Sequence, residues 1–232
     1  MRIVVLTGAG VSAESGQGTF RDTDGLWTQY DLDDVATPQG FAANPALVHD
    51  FYNARRANCA GAVPNAAHDA LVRLQMCQHH DLTLITQNVD DRHERAGSTG
   101  VIHMHGALAV ALCARCDHRW DAPATMSPDD PCPACNTPAT RPDVVWFGEI
   151  PYHMDMIAAT IAQADVFAAI GTSGTVYPAA GFADLAAQSG ALTVEINLAA
   201  SGGSFDRVIT GPASQTVPAW VTGLIDNPLS AG

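Results

Sequence analysis

Lysine is absent from this sequence. All 11 basic residues among its 232 are arginines, whereas 24 residues are acidic, so the formal net charge is −13. The arginines are scattered along the chain, which excludes the clustered basic face that a nucleic-acid-binding protein needs. An acidic surface instead attracts basic partners such as lysine-rich protein segments. We attribute the missing lysine to genomic composition bias.

Long apolar runs are also absent, so we expect no transmembrane segment and no membrane partner. Arg2 and the apolar residues 3–6 resemble the start of a signal peptide, but the run is short and passes directly into Gly8-Ala9-Gly10. We interpret it as a first strand. With 47% hydrophobic and 15% charged residues, the composition is that of a globular protein with one large domain, with or without a small insert.

The six cysteines do not form the pattern of a disulfide framework. Cys59 and Cys77 stand alone, and the other four form two C-x-x-C pairs separated by 15 residues, Cys113 with Cys116 and Cys132 with Cys135. Four thiolates in two such pairs favour a closed, structural zinc site over a catalytic one. The alternative is four buried free thiols. Paired cysteines of this kind are typical of a reducing compartment, so we expect a cytoplasmic protein.

Alternating strand and helix patterns predict the fold. Strands are predicted at 2–6, 81–86, 144–147, 166–170, 192–196 and 208–209, and helices at 45–59, from Asn65 onward, at 155–164, near Pro178 and at 218–225. This alternation predicts an α/β fold with a doubly wound, parallel, Rossmann-like sheet and a small zinc-binding insert domain. The predicted parts are the Rossmann-like residues 1–40, 80–106 and 143–232, a helical segment over 41–80, and the insert over 107–142.

Two groups of residues follow predicted strands at the positions where α/β sheets bind ligands. Gly8, Gly10 and Ala13 fit G-x-G-x-x-A after the first strand, a spacing that brings bare backbone and a helix N-terminus to a pyrophosphate. The alternative is a tight glycine turn. The polar residues 87–90 follow the strand at 81–86, at its carboxyl end.

Taken together and in order, the motifs resemble those of the sirtuins, the NAD-dependent protein-lysine deacylases. The matching stretches are residues 8–16, 19–21, 86–90, 105–106, the two cysteine pairs, 141–149, 171–173 with 176–178, and Asn197. The resemblance covers nearly the whole chain. It implies that NAD is consumed as a co-substrate, with release of nicotinamide and 2′-O-acyl-ADP-ribose.

The resemblance also implies a role for individual residues. Those expected to bind NAD are Gly8, Ala9, Gly10, Ser12, Ala13, Glu14, Thr19, Phe20, Arg21, Trp27, Gln87, Asn88, Val89, Asp90, Gly171, Thr172, Ser173, Asn197, Leu198, Ala199 and Ala213. His105 corresponds to the catalytic base of the family, whereas His103 corresponds to no residue with a known role. The residues alone, without the resemblance, favour an ordinary surface or core histidine at both positions. Asn197 would meet the adenosine ribose, unlike the acidic residue of ordinary hydride-transfer domains.

Two substrate regions are expected from the same resemblance. Val145, Trp146, Phe147, Gly148 and Glu149 would offer a strand edge to the acylated peptide. Tyr52 and Arg55, three apart on one helix, match the subgroup that removes succinyl and malonyl groups, in which they bind the distal carboxylate. The alternative is an amphipathic helix with an exposed arginine.

Other functions remain open from the sequence. The same cofactor site suits NAD-dependent mono-ADP-ribosyl transfer, NAD hydrolysis or a non-catalytic NAD sensor, and an NAD oxidoreductase fits least well. Gln17-Gly18 replaces the usual apolar residue and proline of the first motif. Asp22 and Asp24 add negative charge nearby, which would favour an acetyl over a carboxylated acyl group if either faced the acyl tunnel.

Overall fold

A computed structural model describes residues 1–15 and 30–226 of the chain, and in that part nine strands form two sheets. The strands are β1 (Arg2–Thr7), β2 (Asp81–Thr86), β3 (Ile102–His103), β4 (Gly106–Cys113), β5 (Arg119–Asp121), β6 (Thr140–Val144), β7 (Val166–Ile170), β8 (Leu192–Asn197) and β9 (Arg207–Thr210). Several predicted features lie outside the described residues, namely Thr19, Phe20, Arg21 and Trp27 together with Gln17, Gly18, Asp22 and Asp24.

The larger sheet has six strands in the order β3-β2-β1-β7-β8-β9, and every neighbouring pair is parallel. The chain first adds strands on one side of β1 and then, from β7 onward, on the other. Strand order therefore reverses between β1 and β7, and the carboxyl ends of these two strands form the crevice in which such sheets bind ligands.

Helices follow the strands as expected for this fold class. They are α1 (Leu32–Val35), α2 (Pro38–Ala43), α3 (Pro45–Gly61), α4 (Ala66–Gln75), α5 (Arg92–Ala96), α6 (Met154–Ile161), α7 (Phe182–Gln188) and α8 (Ala213–Asp226). The predicted start of α3 is confirmed, because the Asn44 side chain accepts a hydrogen bond from the Leu47 N–H and Pro45 occupies the first turn. None of the described helices is both long and apolar enough to cross a bilayer.

Alternate residues of the central strands face two different helical layers. Ile3 and Val5 of β1 pack toward α4 and α8, whereas Val4 and Leu6 pack toward α6 and α7. This period of two is the reason that a strand buried on both faces has a continuous apolar sequence. The predicted doubly wound α/β fold is confirmed.

The second sheet is small and antiparallel, in the order β5-β4-β6. The prediction that 144–147 forms a strand of the large sheet is wrong, because the strand there is β6, which ends at Val144 and pairs with β4. The predicted helical segment 41–80 divides between the two sheets. α4 packs on the large sheet, while α3 packs against β4 and β6 through Phe51 and Tyr52.

Candidate active site and metal centre

Three glycines bring the loops after β1 and β7 into backbone contact. A Cβ on Gly8 would lie 2.8 Å from the Gly171 carbonyl oxygen, and one on Gly10 would lie 2.7 Å from the Gly171 Cα. Gly171 itself has a φ of +62° and approaches the Val11 nitrogen closely. The glycines of the first motif are therefore required for the two loops to pack together. The helix expected to begin after them is a short 3₁₀ helix, Ala9–Ser15.

Polar side chains from the ends of three strands, β2, β7 and β8, form hydrogen bonds beside this contact. The Gln87 amide donates to the Thr172 hydroxyl at 3.0 Å, and the Asn88 amide donates to the Gly8 carbonyl at 3.2 Å. The Asn197 amide donates to the Thr172 carbonyl at 2.8 Å. Residues far apart in the sequence thus meet at the switch point. The four side chains are partly exposed, so they line an accessible surface rather than a sealed core.

His105 lies beside this group, in the turn between β3 and β4. Its Nδ1 is 3.0 Å from the Gln87 carbonyl oxygen, which only accepts hydrogen bonds, so Nδ1 carries the proton and Nε2 presents a lone pair. Burial lowers the pKa of His105 below 6.5, against the opposing effect of the Gln87 hydrogen bond. The ring is thus a neutral base at neutral pH.

Gly106 is required by the same turn. Its φ is +78°, and a Cβ there would lie 2.0 Å from the Asp143 carbonyl oxygen on β6. The Val145 N–H also donates to the His105 carbonyl at 2.9 Å. The His-Gly pair therefore joins the candidate base to the start of the expected substrate segment.

Other residues expected at the cofactor have contacts of their own. The Ser12 hydroxyl is buried and lies 3.4 Å from His68, and the Glu14 carboxylate accepts from the Ser214 N–H and hydroxyl at the start of α8. Glu14 thereby caps the helix that carries Ala213. The remaining predicted positions divide by exposure: Ala9, Ala13, Leu198 and Ala199 are exposed, Ser173 and Ala213 are half-buried, and Val89 is buried.

Asp90 forms a strong ion pair that sequence reasoning missed. The Arg92 Nη1 lies 2.7 Å from an Asp90 carboxylate oxygen, and the Arg92 side chain is only 1% exposed. Two other Arg92 nitrogens, Nε and Nη2, are buried and have no hydrogen-bond partner within residues 1–15 and 30–226. Nothing in the local sequence indicates burial, because an arginine two residues after an aspartate is ordinary on a helix surface.

A buried polar network lies under the crevice and was also missed. The Thr7 hydroxyl is 2.9 Å from both the Thr86 hydroxyl and His93 Nε2, and the Thr86 hydroxyl accepts from the Asn88 N–H at 3.0 Å. The His93 and His68 rings lie 4.9 Å apart. The network therefore links the end of β1 to the Gln87-Asn88 segment.

This network makes stability pH-dependent. Burial lowers the pKa of His68 to about 4 and that of His93 to about 3. Both histidines are neutral in the folded protein. Their contribution to the stability of the fold is therefore fully present above the ordinary pKa of 6.5, and it is lost as pH falls toward 4. We expect the free energy of unfolding, measured by urea denaturation, to fall by up to about 1.4 kcal/mol per pH unit for each histidine.

The matched variant for this prediction is His68→Gln. Glutamine still suits the third position of α4, where His68 now accepts the Asn65 N–H in a capping box. It cannot gain a proton in this range, so the slope of stability against pH must be smaller than in the wild type. An unchanged slope would rule out His68 as one of the titrating groups.

The expected substrate segment is a turn rather than a strand. The Phe147 N–H donates to the Ala36 carbonyl, and the Trp146 N–H donates to Glu149 at 2.8 Å. The Glu149 carboxylate also accepts two hydrogen bonds from Arg141, and although burial raises its pKa, these donors lower it overall. Gly148, with a φ of +89°, closes the turn. The Glu149 carboxylate is thus bonded within the turn, with its side chain 28% exposed, whereas Phe147 is 49% exposed.

Tyr52 and Arg55 lie side by side on α3, as their spacing predicts. The Arg55 guanidinium carbon is 5.5 Å from the centroid of the Tyr52 ring. The Tyr52 hydroxyl accepts a hydrogen bond from Trp146 Nε1 at 3.0 Å, and the side chain is buried. Burial raises the pKa of Tyr52, with Arg55 acting in the opposite direction. The contact with Trp146 joins this helix to the expected substrate segment.

The four paired cysteines converge at one point of the small sheet. Their sulfur atoms all lie within 4.8 Å of one another, and the Cys113–Cys135 and Cys116–Cys132 pairs are 3.7 and 3.8 Å apart. A tetrahedral zinc with bonds of about 2.3 Å requires sulfurs about 3.8 Å apart. The donor set therefore fits zinc and leaves no position for a substrate.

The two cysteine pairs have the same local geometry. In each, the N–H two residues after the first cysteine points to its sulfur at 3.4 Å, from Arg115 in one pair and Ala134 in the other. Asp117 and Asn136, which follow the second cysteines, both have positive φ angles, of 57° and 55°. Asp and Asn tolerate this conformation better than most residues.

Comparison with known proteins identifies the family. Residues 8–178 match the family model described as Sir2. The chain belongs to the Sir2 family. An NAD-dependent protein deacylase of Caulobacter vibrioides is 58% identical over 231 residues, 97% of both chains, and one of Escherichia coli K12 is 51% identical over 236 residues, all of this chain and 84% of that protein. A solved Sir2 homologue in complex with NAD has a TM-score of 0.89 at 39% identity, covering 99% of this chain and 91% of that one.

Membership of the Sir2 family confirms the resemblance to sirtuins that the sequence motifs indicated. The family match begins at Gly8, the first glycine of the loop after β1, and ends at Pro178, beyond the Gly171 loop. It therefore spans the crevice, His105 and the cysteine cluster.

Proposed function

We propose that this protein is an NAD-dependent protein-lysine deacylase that consumes NAD and releases nicotinamide and 2′-O-acyl-ADP-ribose. The observation that carries the proposal is the placement of His105, whose Nε2 lone pair is fixed by the Nδ1 contact with Gln87 at the edge of the crevice. The relatives named as NAD-dependent protein deacylases support the same reaction. Mass spectrometry of an acylated peptide with NAD tests it, since ADP-ribosyl transfer or NAD hydrolysis would give no acyl-ADP-ribose.

The crevice residues suit NAD by their chemistry. The backbone-only loops at Gly8, Gly10 and Gly171 accept close approach of a pyrophosphate, and the amides of Gln87, Asn88 and Asn197 offer donors and acceptors for ribose hydroxyls. We assign Gln87, Asn88 and Asp90 to the nicotinamide ribose region, residues 171–173 to phosphate and ribose, and Asn197 to the adenosine ribose. NAD, when bound, supplies a ribose that loses nicotinamide and accepts the acyl group.

His105 acts as the general base toward that ribose. Its Nε2 takes a proton from a hydroxyl, and the positive ring that results keeps its Nδ1–H on the Gln87 carbonyl. Because the same Nδ1–H bond is present in both protonation states, the ring does not need to turn during the transfer. Gly106 and the Val145 N–H hold the backbone of this turn against β6.

The substrate peptide is proposed to bind along residues 145–149 by main-chain hydrogen bonds. Four of the five N–H groups of the segment are already used inside the protein. Those of Val145 and Phe147 donate to the His105 and Ala36 carbonyls, the Trp146 N–H donates to the Glu149 carboxylate, and the Glu149 N–H donates to the Trp146 carbonyl. Its exposed outer face, with Phe147 and Gly148, is left for the peptide. Main-chain recognition tolerates many sequences, which suits a deacylase with several protein targets.

The acyl preference is proposed to include succinyl and malonyl groups, with acetyl also accepted. Trp146 Nε1 only donates hydrogen bonds, so the Tyr52 hydroxyl accepts from it and keeps its own proton for another acceptor. Arg55 adds a guanidinium beside the same ring. A hydroxyl donor next to an arginine is a suitable pair for the distal carboxylate of such an acyl group.

Replacing Arg55 with methionine tests this preference. A charge-assisted hydrogen bond is worth about 1.5–3 kcal/mol, so kcat/KM for a succinyl-lysine peptide should fall roughly 10- to 100-fold. Turnover of the same peptide with acetyl-lysine should change by less than about twofold, because the acetyl group has no distal charge. Both rates are measured by mass spectrometry with NAD.

The matched control is Arg73→Met, which removes the same charge from an exposed position of α4. It should leave both rates unchanged. An equal loss of succinyl and acetyl turnover in Arg55→Met would show that Arg55 supports the fold or the cofactor and does not read a carboxylate.

A structural zinc at the four cysteines and a reducing, cytoplasmic environment complete the proposal. None of the six cysteines, all of which lie in the described part of the chain, forms a disulfide, and the two lone ones, Cys59 and Cys77, are only half-buried. Half-buried thiols persist where glutathione keeps them reduced.

A further inference from the structure

His103 lies two residues before the proposed base, and the reaction assigned above gives it no part. It ends β3 and pairs in register with Thr86 at the end of β2. Both histidines face the Gln87-Asn88 segment, because each ring lies within hydrogen-bond distance of a backbone carbonyl oxygen there.

The two histidines hold consecutive carbonyl groups. His105 Nδ1 is 3.0 Å from the Gln87 oxygen, and His103 Nδ1 is 3.2 Å from the Asn88 oxygen. Since the Asn88 N–H donates to Thr86, both ends of the Asn88 backbone are fixed. Its side chain is directed at Gly8 from this fixed backbone.

The second nitrogen of His103 has an acidic partner. His103 Nε2 is 2.8 Å from a carboxylate oxygen of Glu94 on α5. Carbonyl and carboxylate oxygens both accept, so the ring satisfies both contacts only when both nitrogens carry protons. The His103 side chain is 18% exposed and that of Glu94 is 40% exposed, so the pair lies at the border of the site.

We propose that His103 and Glu94 form a positioning pair that holds Asn88 in place for the cofactor. His103 acts through Asn88 and does not touch the reacting atoms. This inference rests on the proposed function, because it assumes that Asn88 binds the nicotinamide ribose region.

The charges around His103 favour its protonated form. Burial lowers its pKa, but the hydrogen bond and charge of Glu94, with a smaller effect of Asp90, raise the pKa above 6.5. His93 on α5 is a neutral ring, with a pKa of about 3, and the charge of Arg92 is paired with Asp90.

Loss of the His103 proton at alkaline pH should release Asn88. A neutral ring has one N–H, and the charge-assisted contact with Glu94, at 2.8 Å, retains it in preference to the 3.2 Å contact with Asn88. The Asn88 carbonyl oxygen then faces the lone pair of His103 Nδ1 and loses its hydrogen bond. Affinity for NAD should therefore decline as pH rises through the pKa of His103.

Three variants separate this positioning role from a general structural one. His103→Leu removes the donor, and should weaken NAD binding by roughly three- to tenfold at neutral pH, with a difference from the wild type that narrows at alkaline pH. His103→Asn keeps an amide donor near the Nδ1 position, and should bind NAD within about twofold of the wild type at neutral pH but without the alkaline decline. Glu94→Gln should also abolish the decline, because its amide can donate to Nε2 and leave the remaining ring proton to Asn88.

The experiment measures the dissociation constant of NAD by calorimetry, and the KM for NAD and kcat with an acylated peptide, from about pH 6 to about pH 9.5. The positioning role of the pair is supported if only the wild type loses NAD affinity at alkaline pH, and if the substitutions change the dissociation constant and the KM for NAD rather than kcat. A Glu94→Gln profile that superimposes on that of the wild type, or equal affinities in His103→Leu and His103→Asn, would overturn it. A wild type that binds NAD but never forms acyl-ADP-ribose refutes the proposed function, while the calorimetric comparison still decides the role of the pair.

Discussion

Deacylation by a His105→Asn variant is expected to be about 10²- to 10⁴-fold slower than by the wild type, whatever acyl group is offered. Asparagine keeps an amide donor near the position of Nδ1, so the hydrogen bond to the Gln87 carbonyl, which is 3.0 Å in the wild type, remains possible. The variant lacks only the basic Nε2. Single-turnover release of acyl-ADP-ribose, followed by mass spectrometry, measures the loss.

The pH profile gives this prediction a second readout. Burial lowers the pKa of His105 below 6.5, so the wild-type rate should stay level down to that pKa and fall only as pH drops through it. The residual rate of the His105→Asn variant should lack this acid limb. Affinity for NAD, measured by calorimetry, should stay within about threefold of the wild-type value, since the Gln87 segment keeps its donor.

The control for His105→Asn is the same substitution at His79, which is exposed just before β2 begins, at the opposite end of the strands. It should change neither rate nor pH profile. A His105→Asn enzyme that retains more than about a tenth of wild-type turnover would exclude His105 as the general base.

Removal of the metal should cause the largest change in stability. Apart from cysteines, residues 106–144 have few buried hydrophobic side chains, namely Leu108, Ala111, Leu112, Met126 and Val144. Structural zinc supplies about 10–16 kcal/mol of apparent binding energy in small zinc-binding peptides. We expect chelation, or Cys132→Ser, to unfold residues 106–144 and to lower the thermal midpoint by roughly 10 °C or more.

Loss of this sheet should abolish deacylation while leaving the large sheet folded. β6 leads directly into the substrate segment, and Gly106 packs against Asp143 at its end, so both the peptide site and His105 depend on it. The crevice loops at Gly8 and Gly171 belong to the large sheet. Hydrogen exchange should therefore show lost protection in residues 106–144, with protection retained in β1 and β7.

The matched control is Cys77→Ser, which removes a half-buried thiol that lies outside the cluster. It should keep a full equivalent of zinc and the wild-type midpoint. Full activity and unchanged circular dichroism after zinc loss, verified by elemental analysis, would contradict a structural role for the metal.

Prediction from the sequence succeeded where a signal lies within a few residues. The caps at Asn44 and Asn65 fix the starts of α3 and α4 because a side chain reaches only its own first turn. The two cysteine pairs each close a local turn, so their convergence follows from spacing. Strand positions such as 81–86 follow from apolar runs bounded by polar residues.

Prediction failed where residues distant in the sequence decide which sheet an element joins or covers. The apolar residues 144–147 suit a strand of either sheet, and only pairing with β4 ends that strand at Val144 and turns the chain at Gly148. The helical region 41–80 likewise shows amphipathic helices without indicating which sheet each covers. Apolar periodicity indicates that one face of an element is buried, but it does not indicate which element packs against that face.

By itself, the sequence determined the α/β class, the four-cysteine cluster, the glycine loops and the family. Each depends on residue types at short spacing, or on an ordered series of such motifs. The tertiary structure alone decided that Gly10 meets Gly171 and that Arg92 is buried beside Asp90. It also decided that His103 joins Glu94 to Asn88. These contacts are set by strand order and by the angle at which helices leave the sheet, which no local pattern encodes.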